Sequence, residues 1–440
     1  MNTMTFPAGP DLPIEELHKE YFLNTFPFLL KCFEDYGDVF TLTLGDFGVS
    51  EFGANGHWVF LTKSEDIERL FKADNSIVYG GEANQIQFQK LVPPLSSTAC
   101  DADEHLSKRR LLLKYFKSVE KNTAVIQRVT REIADGFPEG EAFSLFTFLK
   151  QVTYSTIFVT TMGVRGDDET RKSCSELTDL DQASTTMEEK RALISHVQDF
   201  LIGKINNERA DSSTALADND TVYEYLLHLK QDSDYVLSTE AMAQEVVSLL
   251  MGGIATTAIM LSWAFTFVLS DSAVEAKIRE ELKDKLHGAM VDEDNVESLV
   301  YLNSVILETL RIQPFMATPG IRLLKEEFEI GGYLLPEGTL VANCSYLLQR
   351  RPEYYQDPES FCPERFKDGE VSAYQWTPFG GGVRRCVGYA FAQHSMKVVM
   401  ATIMQSHVME LAMPVDGAEF LGAFFGPKGG PLVVAKRIEE

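Results

Sequence analysis

From Val246 to Ser270 no residue carries a charge. As a helix, a run of that length is long enough to span a bilayer; the alternative is a helix buried on every side at the centre of a large helical protein. Composition separates the two. Ser248, Gly252, Gly253, Thr256, Thr257 and Ser262 are small or hydroxylic, which makes a poor surface for a lone span in lipid. The run therefore reads as a core helix, and the rest of the chain must supply apolar surface to surround it. It can: 45% of the 440 residues are hydrophobic and 24% charged, with no linker dividing them. The length exceeds that of a usual single core.

A second feature carries chemistry. Cys386 lies in the run Pro378-Phe379-Gly380-Gly381-Gly382-Val383-Arg384-Arg385-Cys386-Val387-Gly388-Tyr389-Ala390, with a helix expected just after it. Positive partial charge at that helix start and the two arginines favour a thiolate at Cys386. A thiolate can hold haem iron and favour O–O cleavage. The glycines let the backbone approach a flat ligand closely, Gly388 leaves room beside it, and the planar donor fork of Arg384 suits a carboxylate. Taken alone, the run also suits a plain turn before a core helix. Upstream, Glu308-Thr309-Leu310-Arg311 puts opposite charges three residues apart on one helix face. Pro314, Arg322 and Pro363-Glu364-Arg365-Phe366 follow in order.

The spacing of Phe379, Gly382, Arg384, Cys386 and Gly388, with that Glu-x-x-Arg and Arg365, resembles the signature of the cytochrome P450 family, closest to soluble bacterial or cyanobacterial members. The resemblance implies a mainly α fold with small β-sheets, a single triangular α+β domain over 1–440. Within it lie a β-rich part at about 37–65, a helical core at about 100–312 and the cysteine segment 378–390. It implies haem b (iron protoporphyrin IX) ligated by Cys386, and a buried triad of Glu308, Arg311 and Arg365. By the same resemblance His105, Arg109 and Arg322 join Arg384 in holding the propionates. The i, i+4 spacing of His105 and Arg109 puts them on one helix face.

The charge-free run aligns with the family's long distal helix. There the usual Ala/Gly-Gly-x-Asp/Glu-Thr-Thr/Ser reads Gly252-Gly253-Ile254-Ala255-Thr256-Thr257. The glycines permit a local widening of the helix. Thr256, with Thr257 beside it, is expected to organise proton delivery, while Ala255 stands where the acid should be. General acid help contributes about 10²–10⁴ in rate. Because Thr256, Thr257 and the cysteine segment are retained, the chain reads first as a monooxygenase using O2. The alternative is a peroxygenase, isomerase or oxidative-coupling enzyme. A gas sensor would need an output domain, and none is expected. By resemblance Val247, Ile254, Ala317, Thr318, Phe424 and Phe425 wall the pocket, together with the loop after Gly80. These mostly apolar residues suit a fatty acid, terpenoid or aromatic natural-product precursor.

The net charge of -25 argues against nucleic acid. Electrons are expected from a separate ferredoxin or flavodoxin with its reductase, docking where Lys108, Arg109, Arg110, Lys114, Arg350, Arg351 and Arg385 gather. Six scattered cysteines without a Cys-x-x-Cys pair suit a reducing compartment. The opening, with Pro7, Pro10 and Pro13, lacks a basic-then-apolar leader, and Phe22 to Phe33 reads as an amphipathic helix. A cytoplasmic monomer without a membrane anchor is the expectation. Strands are expected at Val39–Leu44, Trp58–Leu61 and Phe328–Leu335, with irregular chain over Gly80–Cys100, a loop over 210–220, and a hairpin joining Phe424–Gly430 to Leu432–Val434.

Overall fold

The computed structural model describes residues 6–116, 118–163, 168–180, 185–210, 221–227, 237–368, 371–421 and 424–438. The expected loop at 211–220 lies outside them. In chain order the helices are α1 (Ile14–Leu23), α2 (Thr25–Tyr36), α3 (Ser64–Lys72), α4 (Gly80–Gln87), α5 (Ala102–Tyr115), α6 (Thr123–Ala134), α7 (Leu145–Met162), α8 (Asp168–Ser175), α9 (Met187–Ala210), α10 (Val222–Leu227), α11 (Thr239–Ser270), α12 (Ser272–Leu286), α13 (Val300–Ile312), α14 (Ser345–Leu348) and α15 (Tyr389–Ser406). The strands are β1 (Val39–Leu42), β2 (Trp58–Leu61), β3 (Val78–Tyr79), β4 (Ala142–Ser144), β5 (Gly320–Leu324), β6 (Phe328–Ile330), β7 (Tyr333–Leu335), β8 (Leu340–Asn343), β9 (His407–Leu411), β10 (Ala418–Leu421), β11 (Phe424–Pro427) and β12 (Leu432–Arg437). They gather into two compact units, each entered three times by the chain.

The first unit comprises 1–112, 316–360 and 371–387. Its sheet runs β1-β2-β8-β5-β3, with β2 and β8 parallel, Trp58 opposite Leu340, and the other pairs antiparallel. Four successive side chains of β2 and of β8 are buried, as in strands covered on both faces. Helix α3 lays Ile67, Leu70 and Phe71 into a core with Val59, Leu61, Val78, Leu324 and Val341. The expected strand pair at 328–335 forms as β6 and β7; Gly331 (φ 60) and Gly332 (φ 84) turn it, a conformation glycine reaches without strain.

Where irregular chain was expected after Gly80, α4 forms. The Asp101 carboxylate accepts from the Gly81 and Glu82 amides, both at 2.9 Å. Those are orphan donors of a helix start, and an acid supplied from elsewhere in the chain satisfies them.

The second unit comprises 113–315, 361–370 and 388–440. Its axis is α11, begun by Ser238, whose hydroxyl accepts from the Ala241 amide at 3.1 Å. In its most apolar 18-residue window, 61% is buried inside the structure, which makes it a core helix. It packs on α7, α9, α13, α15 and β11. The expected C-terminal hairpin is absent: β11 pairs with β10, and β12 pairs with β4 and β9. The turn at Gly429 (φ 73) and Gly430 (φ 64) redirects the chain, and β12 pairs along five residues of β9 on one edge and with β4 on the other.

Candidate active site

In the first unit the cysteine loop is pinned at its base. Thr377 is gripped through backbone and side chain alike. Its amide donates to Gln349 Oε1 at 2.8 Å, its carbonyl accepts from the Ser345 hydroxyl at 2.8 Å, and its Oγ1 accepts from Asn343 Nδ2 at 3.1 Å. The Gly380 amide then donates to the Thr377 carbonyl at 3.0 Å, and the Cys386 amide to the Phe379 carbonyl at 2.9 Å, closing the loop. Trp376 lies against Phe379, with ring centroids 5.9 Å apart. Cys386 is exposed.

Two glycines have positive φ, Gly380 (66) and Gly382 (65). A Cβ on Gly381 would lie 2.3 Å from the Phe71 ring, and one on Gly382 would lie 2.6 Å from Asp74 Oδ2. Phe71 and Asp74 therefore demand small residues there, a reason the sequence does not reveal. A Cβ on Gly388 would meet nothing within 4 Å.

The expected carboxylate-binding residues stand beside this loop, already engaged. Arg384 pairs with Asp101 and donates to the Cys100 carbonyl at 2.5 Å. Its Nε is buried without a hydrogen-bond partner. Burial, with the Arg322 charge, presses the Arg384 pKa down against the pull of Asp101 and Asp74; a guanidinium has margin to stay protonated. Arg322 pairs with Asp74, reaches the Gly381 carbonyl at 3.3 Å and lies over the Phe71 ring. His105 is buried, with Nδ1 2.8 Å from the Ser97 carbonyl and Nε2 3.3 Å from that of Val383. Burial and Arg384 hold its pKa below the usual imidazole value. Arg109 is one turn further along α5 and half-buried. The set suits a haem: an exposed sulfur, open space at Gly388, and an unsatisfied buried guanidinium N–H that a propionate would satisfy.

In the second unit Glu308, Arg311 and Arg365 come together. Arg311 donates to Glu308 through Nε at 2.6 Å and Nη2 at 2.8 Å, and Arg365 Nε reaches it at 3.3 Å. The Cys362 amide adds a fourth bond at 2.8 Å. Glu308 and Arg311 have no accessible surface.

Helix α11 is regular through the Gly252-Gly253 pair. The Thr256 hydroxyl donates to the Gly252 carbonyl at 2.6 Å. A Cβ on Gly253 would lie 2.6 Å from Ile157 Cγ1 of α7, so this glycine answers to helix packing. Ala255 and Thr256 are partly exposed, Thr257 is buried, and Glu245, a buried acid, lies about 15 Å back along the helix from Ala255.

Of the expected pocket wall, Val247 has no accessible surface and Ile254 2%, so Val247 is packed away. Phe424 remains partly exposed, its ring 5.5 Å from that of Phe315. Phe425 is tied by its amide to the Phe315 carbonyl (2.9 Å) and by its carbonyl to Trp263 Nε1 (3.1 Å). In the first unit Ala317 and Thr318 are buried, Thr318 Oγ1 lying 3.4 Å from the Tyr21 hydroxyl. Among the expected docking cations, Lys108 pairs with Glu104, Arg350 with Glu359, and Arg351 with Asp38 and Glu353. Arg110 and Lys114 are exposed.

A family model described as Cytochrome P450 matches residues 184–420. The chain is similar to cytochrome P450 135B1 of Mycobacterium tuberculosis (strain ATCC 25618 / H37Rv), 28% identical over 421 residues, which cover 92% of this chain and 85% of that one. It is also similar to an iridoid oxidase of Catharanthus roseus, 35% identical over 203 residues, covering 44% of this chain and 39% of that one. A solved structure titled "Retinoic acid bound cyanobacterial CYP120A1" superposes with a TM-score of 0.84 at 20% identity, covering 99% of this chain and 100% of the other, a likeness of fold.

Proposed function

The chain belongs to the cytochrome P450 family, whose members hold haem b by a cysteine thiolate, and is a monooxygenase of that class; we propose that Cys386 is the thiolate and that the substrate is a hydrophobic small molecule. The observation that carries the assignment is the exposed sulfur on a loop closed by its own amide, beside a buried guanidinium with an unused N–H. When bound, the haem supplies the redox centre at which molecular oxygen is activated, electron density from the thiolate favouring O–O cleavage.

The chain's own residues divide the remaining work. Arg384 offers Nε to a propionate while Asp101 keeps its fork in place. Thr256 donates its proton to the Gly252 carbonyl, leaving lone pairs on Oγ1 to accept from a water and hold it in place as the proton donor. With alanine at 255, that hydroxyl is the delivery group. The aromatic wall of Phe315 and Phe424 excludes water and favours apolar ligands. One named relative is an iridoid oxidase and one structural neighbour binds retinoic acid, which supports an isoprenoid substrate over a fatty acid, while a (+)-piperitol/(+)-sesamin synthase among the relatives keeps an aromatic precursor as the alternative. Electrons come from a ferredoxin or flavodoxin, and Arg110 and Lys114 are the cations left exposed for docking.

Titrating the haem-loaded protein with retinoic acid, monoterpenoids, fatty acids and flavonoids, and following haem absorption, tests the substrate class. The expected outcome is a spectral shift with the isoprenoids; a shift with fatty acids or flavonoids alone would overturn it. Cys386→Ser should lose the red-shifted carbonyl band of a thiolate-ligated haem, and its persistence would remove the ligand assignment. The missing acid at Ala255 favours a second reading, in which peroxide replaces O2 and reductase. Comparing turnover of the bound isoprenoid under the two regimes decides between them.

A further inference from the structure

Helix α11 is gripped from the side at the place where its sequence is weakest. Thr153 of α7, buried, donates its hydroxyl to the Ile254 carbonyl at 2.9 Å, with the Lys150 carbonyl of its own helix 3.1 Å away. One turn along α7, Ile157 fills the hollow that Gly253 leaves. The two contacts fall on consecutive residues of α11, immediately before Ala255 and Thr256. A carbonyl has two lone pairs, so Ile254 can keep its ladder bond and still accept from Thr153.

The grip has something to hold. Two adjacent glycines in a helix interior make that arc the easiest part of α11 to deform. The Thr256 hydroxyl is tied to the carbonyl of one of them, Gly252, so any rotation of the arc moves that hydroxyl. Ala255 has no side chain able to brace the helix from its other neighbours.

We propose that Thr153 is a positioning residue for oxygen activation: from α7 it fixes the Gly252–Thr256 arc, and thereby sets where the Thr256 hydroxyl stands. The inference rests on Thr256 as the proton-delivery group. It makes α7, which the sequence presents as an ordinary core helix, part of the catalytic apparatus.

Three variants of the haem-loaded enzyme test it: Thr153→Val, of nearly the same shape without a donor; Thr153→Ser, which restores the donor; and Thr256→Ala. One readout is amide hydrogen exchange over residues 250–260 with no ligand added. The other is hydrogen peroxide released per NADPH consumed with a ferredoxin and its reductase, without ligand and with retinoic acid as the probe. Thr153→Val should speed exchange in that window severalfold and raise peroxide release toward the Thr256→Ala level, with haem content unchanged; Thr153→Ser should return both to the parent values. If Thr256→Ala raises peroxide release and Thr153→Val changes neither readout, the positioning role is refuted. If Thr256→Ala leaves peroxide release unchanged, the delivery reading itself fails. Unchanged exchange in Thr153→Val would then refute the grip separately.

Discussion

Thr377 illustrates how single side chains hold a loop that has no regular structure of its own. Gln349 has no accessible surface, and its acceptor meets the Thr377 amide at the start of the cysteine loop. Replacing it with methionine keeps the bulk and removes the acceptor, stranding a buried N–H at a cost of about 1–3 kcal/mol. Gln349→Met should therefore lower the midpoint of urea unfolding and hasten haem transfer to apomyoglobin. Equal transfer rates would show that the loop does not depend on this bond. Glu308 is a harder case. Its carboxylate accepts from Arg365 and from two donors of Arg311 in a dry site. Glu308→Ala leaves buried guanidinium charge uncompensated, a loss of about 3–5 kcal/mol. Far-ultraviolet melts of the apoprotein should show a collapse of stability, and a small shift would reduce the triad to a surface-like pair.

At the scale of elements, the glycine pair of α11 separates two causes that the sequence runs together. A Cβ on Gly252 meets nothing within 4 Å, whereas one on Gly253 meets Ile157. Gly252→Ala should stabilise the apoprotein by up to about 1 kcal/mol through helix propensity. Gly253→Ala should destabilise it by about 1–3 kcal/mol through overpacking, and Ile157→Ala in the same chain should recover part of that loss. Equal effects at both positions would remove the packing account. The same pair marks the boundary of what was legible beforehand. The charge-free run announced a buried helix, because burial of charge is costly wherever it occurs. The Glu308–Arg311 spacing announced a pair on one helix face, because helix periodicity is local. The demands of Ile157 on Gly253, of Phe71 on Gly381 and of Asp101 on α4 were not legible. Each partner is distant in the chain, and only the folded backbone brings it near. The pairings of Arg350 and Arg351 are hidden for the same reason: their charges are visible in the sequence and their carboxylate partners are not.

At the scale of the whole molecule, buried histidines among the described residues respond to pH near neutrality. His394 and His407 are both buried. Burial first, then Lys397, holds the His394 pKa below the ordinary 6.5, against Glu297 and Glu120; burial first, then Arg437, does so for His407, against Asp135 and Glu139. His105 shifts the same way, through burial and Arg384. An imidazole whose folded pKa is depressed binds its proton more readily in the unfolded chain. Its contribution is complete above 6.5 and is lost as pH falls through that value toward the folded pKa. Glu364 belongs to a lower window: the Lys277 hydrogen bond holds its carboxyl below the ordinary 4.5, so its contribution fades only under more acid conditions. Thermal midpoints should accordingly be flat from about pH 7 to 8, fall from about 6.5 downward, and fall again below about 4.5. Salt should leave the first decline in place, because burial is its leading cause, and should blunt the exposed Lys277–Glu364 contribution to the second. A midpoint that held level from pH 7 to 5, or a first decline abolished by salt, would show that these imidazoles are not held neutral by burial.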